Sequence, residues 1–131
     1  MPEANRSLVR IQDALTTLSN IEGFIGACVF DSNDGMMLAF AGGDPVLDLE
    51  VASALNVGIV RANQDAVKSL RLDDEIEDIF LTLGRQYHLI RPITTTKHLF
   101  FYLVIDRAGT NLAIARIRLA ETEKSLAAVL D

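Results

Sequence analysis

The residues that could do chemistry are few and scattered. His88 and His98 are the two histidines, ten positions apart, and neither sits in an H-E-x-x-H or comparable metal spacing. Strand and turn polarity accounts for both. Cys28 is the single cysteine. It cannot form an internal disulfide or a cysteine-based zinc site, and nothing near it in sequence would lower its pKa. The run Asp73-Asp74-Glu75-Ile76-Glu77-Asp78 lacks the alternating ligands, glycine and distal glutamate of an EF-hand, so it reads as a solvated approach to a strand. Beside an exposed edge, its acids would also limit unwanted strand pairing. The G-x-S-x-G, G-x-x-x-x-G-K-[ST] and G-x-G-x-x-G patterns are absent. The residues therefore point to no catalytic centre, cofactor or metal site.

Composition narrows the classes further. The 131 residues are enough for one domain, taken here as 1–131 with a core of about 8–130, and half of them are hydrophobic. Net charge is −6. The excess is N-terminal: residues 1–65 hold nine acids and three bases, and residues 66–131 hold nine of each. No basic run exists to contact phosphates, so nucleic acid is not an expected partner. No apolar run approaches the roughly 20 residues of a membrane span, and the first ten residues lack a signal-peptide core. Membrane insertion is not expected, and a cytoplasmic location is.

The elements that would position any site follow from periodicity. Leu8, Ile11, Leu15 and Leu18 mark a helix over Ser7–Ser19, with Asn5 or Ser7 as its cap. Phe24–Phe30 and Met36–Ala41 are strands joined by Asp31-Ser32-Asn33-Asp34-Gly35, a hairpin signal. Gly42-Gly43-Asp44-Pro45 breaks the second. Asp48 caps a long helix that ends at Leu70. Ile79–Leu83, Gln86–Ile93 and Leu99–Ile105 are three more strands, the last an unbroken apolar run suited to the sheet centre. A final helix follows Asn111, with Leu112, Ala115, Leu119, Thr122, Leu126 and Val129 inward, and Arg116, Arg118, Glu121, Glu123 and Lys124 solvated. Helix, two strands, helix, three strands, helix is an α+β order with an antiparallel sheet.

The helix from Asp48 to Leu70 stands apart. At about 100° per residue, Val51, Ala52, Leu55, Gly58, Ile59, Ala62, Ala66 and Leu70 fall within about 60° either side of Leu55. That stripe is expected to face the core. Glu50, Arg61, Asp65 and Lys68 share a narrow charged arc. Leu49, Ser53, Val57, Val60, Gln64 and Val67 form a further uncharged side, which reads either as part of a deeply buried central helix or, more sharply, as a surface that meets a second copy in a symmetric dimer.

Four stretches together resemble the Roadblock family of dynein light chains and their bacterial relatives. They are Ile21–Ala27 running into Asp31–Leu38, the small-residue helix Ala52–Ala66, Gln86–Pro92, and Leu99–Asp106 followed by Asn111–Ala113 and the last helix. The resemblance implies a profilin-like or longin-like α-β-β-α-β-β-β-α sandwich with a five-stranded antiparallel sheet. It also implies a homodimer whose third strands pair edge to edge, here Ile79, Phe80, Leu81, Thr82 and Leu83, and whose second helices pack together. Functionally it implies a non-enzymatic module that regulates or scaffolds a Ras-like small GTPase, as activator or adaptor. Arg71 and Arg85 flank the interaction region, but an arginine finger is not the expected device. A small-molecule sensory module and a purely structural light chain are the alternatives.

Overall fold

The computed structural model describes residues 3–43, 45 and 47–130. Its elements are α1 (Glu3–Leu18), β1 (Phe24–Asp31), β2 (Met37–Gly42), α2 (Leu49–Ser69), β3 (Ile79–Thr82), β4 (Gln86–Pro92), β5 (Leu99–Asp106) and α3 (Leu112–Ala127). The strands form one antiparallel sheet in the order β2-β1-β5-β4-β3. The α+β sandwich expected from the element order is the one found. β5 lies at the centre, and Phe100–Ile105 are all buried, as the unbroken apolar run requires.

Alternation along the strands sends side chains to two different layers. Ala27, Val29, Leu89, Phe101, Leu103 and Ile105 pack with Ile11, Leu15 and Leu18 of α1 and with Ala115, Leu119 and Leu126 of α3. Cys28, Phe30, Ile90, Phe100, Tyr102 and Val104 point the other way, to Leu49 and Val60 of α2. Phe30 and Phe100 stack there with ring centroids 5.6 Å apart.

Local chemistry sets the boundaries. Asp31 Oδ1 accepts from Asn33 N and Asp34 Oδ1 from Met36 N, which shapes the β1–β2 turn. Gly35 closes it with φ +75°, and α2 lies so close that an added Cβ would press on the Ala54 backbone. Asp48 Oδ1 accepts from Val51 N and caps α2 as expected; Asn111 does the same for α3 through Ile114 N. α2 ends in a Schellman arrangement. Leu72 N donates to Val67 O, Arg71 N donates to Lys68 O, and Arg71 takes φ 55°.

Several expectations need correcting. α1 starts before Ser7, so Asn5 and Ser7 lie inside the helix, and Leu8 is exposed. The expected break at Gly42–Pro45 is marked by positive φ at Gly42 and Gly43, while Asp44 lies outside the described residues. Val129 lies past the end of α3 and is exposed, and on α3 Glu123 is buried, only 1% accessible. Glu123 can be inside because it is not alone. Its Oε2 accepts from Thr94 N and Thr94 Oγ1, and its Oε1 lies 3.5 Å from Arg91 Nε.

The largest correction concerns α2. Leu49, Ser53, Asn56 and Val60 are its buried residues. Val51, Leu55, Gly58, Ile59, Ala62, Ala66 and Leu70 are exposed, with Leu55 at 66%. The stripe expected to face the sheet faces outward. Three of the residues expected to meet a second copy (Leu49, Ser53 and Val60) are covered by the chain's own sheet. Val57 and Val67 are half-buried, and Gln64 is exposed. The physical reason is that the inner side carries two polar residues. Ser53 is accommodated by donating to Leu49 O at 2.8 Å and lying 3.3 Å from Cys28 Sγ, and hydropathy alone ranks such a side below the Leu55 stripe.

Candidate partner interface

Two features of the α2 side leave apolar and main-chain groups without a partner among the described residues. The first is the outer surface of α2. Val51, Leu55 and Ile59 stand on it at successive turns, flanked by the small residues Ala54, Gly58 and Ala62. A Cβ at Gly58 would meet nothing within 4 Å, so another backbone can approach there closely. The second is the outer edge of β3. Among the described residues β3 pairs only with β4, with Ile79 opposite Ile90 and Leu81 opposite His88. Paired residues share a face, so Ile79 and Leu81 lie on the α2 side of the sheet. Leu81 is exposed. β3 stops at Thr82, and Leu83 N donates to Gln86 O to close the turn, so the expected strand is one residue shorter. Phe80 and Thr82 face the α1/α3 layer, where Phe80 meets Tyr87 edge-on and carries the Arg116 guanidinium above its ring.

The two sheet edges differ. At β2, Gln12 of α1 reaches across and donates Nε2–H to Phe40 O at 3.2 Å, which blunts that edge. β3 is approached instead from its start. Asp78 accepts from Arg116 Nη2 at 3.1 Å and lies 3.7 Å from Arg91 Nη1. Of the acidic run 73–78, Asp78 is thus an anchor and not a solvated guard. It fixes where β3 begins and leaves the edge beyond it open.

The residues with catalytic potential do not converge. Cys28 lies beneath α2, and burial pushes its thiol up to about 11, with the Ser53 hydrogen bond opposing; it is no nucleophile. His88 lies in β4 and is half-buried. Nε2–H donating to Gln86 Oε1 at 2.9 Å leaves Nδ1 to accept from Tyr102 O–H at 2.8 Å, an arrangement that satisfies all three groups. Burial lowers the His88 pKa and pushes Tyr102 up to about 12. His98 lies on the β4–β5 turn and gives its carbonyl to Ser32 N. Among the described residues no group of three or more His, Cys, Asp or Glu could hold a metal ion. No described helix is long and apolar enough to cross a membrane.

Sequence reasoning missed Asn56, which is buried on the inner side of α2 with Nδ2 unpartnered among the described residues, and the Glu123–Arg91 pair. A polar residue at i+3 from Ser53 and i−4 from Val60 was the available signal for the first.

Comparison with known proteins agrees with this architecture. No family model matches the chain, and no curated protein does. Solved structures do. Myxococcus xanthus MglB superposes with a TM-score of 0.83 at 17% identity, covering 93% of this chain and 88% of that one. A structure of MglB in a tetrameric arrangement gives 0.73 at 16% identity over 99% and 91%. A Roadblock/LC7 domain from Streptomyces avermitilis gives 0.75 at 14% identity over 88% and 92%. The three helices and the antiparallel five-stranded sheet of this chain are therefore those of the Roadblock/LC7 fold.

Proposed function

We propose that this chain is a single-domain, non-catalytic interaction module that works in the cytoplasm as a homodimer and regulates or scaffolds a Ras-like small GTPase. One observation carries the reading: α2 turns Val51, Leu55 and Ile59 to solvent on the same side of the sheet on which the β3 edge is open. A monomer gains nothing from either feature. Two copies related by a two-fold axis would bury both, β3 pairing with β3 and α2 lying beside α2, and Ala62 and Gly58 would permit close helix approach. Resemblance to the Roadblock family supports the same two contacts, and the tetrameric MglB shows that a protein of this fold assembles from several copies. The interface is thus moved from the Val57–Val60 side to the Leu55–Ile59 side.

Such a dimer needs no acid–base group. It would act by holding a GTPase surface against the paired helices, with the net −6 of each copy steering a basic patch toward it. Light scattering at tens of micromolar should give twice the 14.3 kDa chain mass, and Leu55→Glu should return it to one. A purified small GTPase from the same genome should then bind by calorimetry in one nucleotide state and not the other. A wild-type monomer overturns the dimer. Binding to a large partner without nucleotide dependence overturns the GTPase reading and favours the structural light chain.

A further inference from the structure

We propose that a cavity beside the C-terminal half of α2 takes an extended, basic segment of a partner protein, held along the main chain of residues 73–77. The cavity has a volume of about 530 Å³, within the range of about 300–1,000 Å³ that ligand sites occupy. Its floor is apolar, formed by Val60, Ile79, Ile93 and Phe100. Leu72 and Ile76 contribute one wall from the connection between α2 and β3.

That wall makes the site. Residues 73–77 make no main-chain to main-chain hydrogen bond with the other described residues. Only Glu75 N is used, by Asp74 Oδ1. Unpaired peptide groups beside an apolar cavity are what strand addition needs. The main chain gives affinity, and every second side chain of the added segment can drop into the cavity. A free small molecule fits less well. It would need convergent polar groups, and the hydroxyls here are already committed: Thr94 Oγ1 donates to Glu123 and Thr96 Oγ1 to Ile93 O.

Charge selects the segment. Asp73, Asp74, Glu75 and Glu77 are exposed, and none of them forms an ion pair among the described residues, whereas Asp78 is taken by Arg91 and Arg116. Asp74 and Glu75 line the cavity wall, Asp73 and Glu77 flank them in the chain, and together they favour a basic strand. Lys68 and Lys97 also line the cavity, so the basic residues of the segment must lie along residues 73–77 and away from these two lysines. Leu55 and Ile59 of the proposed dimer surface do not line the site, although Ile79 of β3 does.

The test uses the full chain and a fluorescein-labelled heptapeptide of alternating lysine and leucine, titrated by anisotropy at low salt. Peptides of alternating glutamate and leucine, and of lysine and serine, serve as comparisons. The lysine–leucine peptide should bind about tenfold more tightly than either. The double variant D74K/E75K should weaken it about tenfold, while D13K/E22K, reversing two exposed acids elsewhere, should change it less than about twofold. Hydrogen exchange should slow at the amides of residues 73–77. Equal loss in the two variants, equal binding of the lysine–serine peptide, no binding below about 1 mM, or protection confined to other segments would each overturn the proposal.

Discussion

The two faces of the sheet are closed in different ways. α1 and α3 share one face, and together they bury a continuous apolar layer from Ile11 to Leu126. Glu123, the one charged side chain buried there among the described residues, is met by Arg91 and Thr94. The other face has α2 alone. Five strands at about 4.8 Å spacing span roughly 19 Å, while one helix with its side chains is about 10–12 Å across. α2 sits over β1 and β2, so the β3–β4 end of that face is left to Ile79, Leu81 and His88. The closed face spends its apolar residues inside the chain. The half-closed face keeps some for the outside, and that is where a partner gains most.

Charge introduced at the two sides of α2 is the strongest way to break this comparison. Val60 is fully buried between α2 and the sheet. Val60→Glu buries a carboxylate between α2 and the sheet, and should cost about 4 kcal/mol and abolish cooperative unfolding. Leu55→Glu, five residues earlier and on the exposed side, should change the stability of an isolated chain by less than about 0.5 kcal/mol. Urea melts followed by circular dichroism separate them. Equal losses would mean that the outer side of α2 is not a free surface.

The closed face can be tested through its one buried charge. Glu123→Ala leaves the Arg91 guanidinium, 14% exposed, with only Asp78 at 3.7 Å and leaves Thr94 N without its acceptor. Breaking a buried pair in this way should cost about 3 kcal/mol. If the loss is below about 1 kcal/mol, the pair is solvated like a surface bridge, and this face is less closed than its burial implies.

How much of this was readable in the sequence depends on how local the cause is. Asp48 as a cap, the Asp31–Gly35 turn and the apolar run of β5 are local signals, and each was legible. The inner side of α2 was not. Leu55, Ile59 and Val51 outrank Ser53 and Asn56 in hydropathy, so periodicity centres on the wrong stripe. What makes Ser53 an inner residue is Leu49 O within the helix and Cys28 across on β1, and the second is known only once the sheet is assembled. Glu123 failed for the same reason, since Arg91 reaches it from another strand. A helix with two apolar sides gives no local clue to which one belongs to its own chain.

The end of α2 offers a smaller change. Arg71 holds φ 55° in the Schellman turn, where a side chain costs about 1 kcal/mol relative to glycine. Arg71→Gly should therefore raise stability by about 1 kcal/mol and Tm by about 4 °C, with the mass in solution unchanged. A loss would show that the Arg71 side chain makes a contact that outweighs its strained backbone.

The smallest effect comes from His88, on the uncovered part of the α2 face. Burial lowers its pKa from 6.5, and Tyr102 O–H and Gln86 Oε1 occupy its two ring nitrogens. The unfolded chain then takes up the proton first as pH falls, so the native state binds fewer protons and stability rises with pH across this window. The contribution is complete above about 6.5, and is lost as pH drops toward the lowered folded value. His88→Gln removes the titration. Between pH 7.5 and 5.5 the wild-type Tm should fall further than that of His88→Gln, while the carboxylates contribute equally to both. In a dimer that covers this end of the sheet, His88 would be buried more deeply and the difference would grow with protein concentration. Parallel curves at every concentration would place His88 in a solvated setting and argue against a partner covering it.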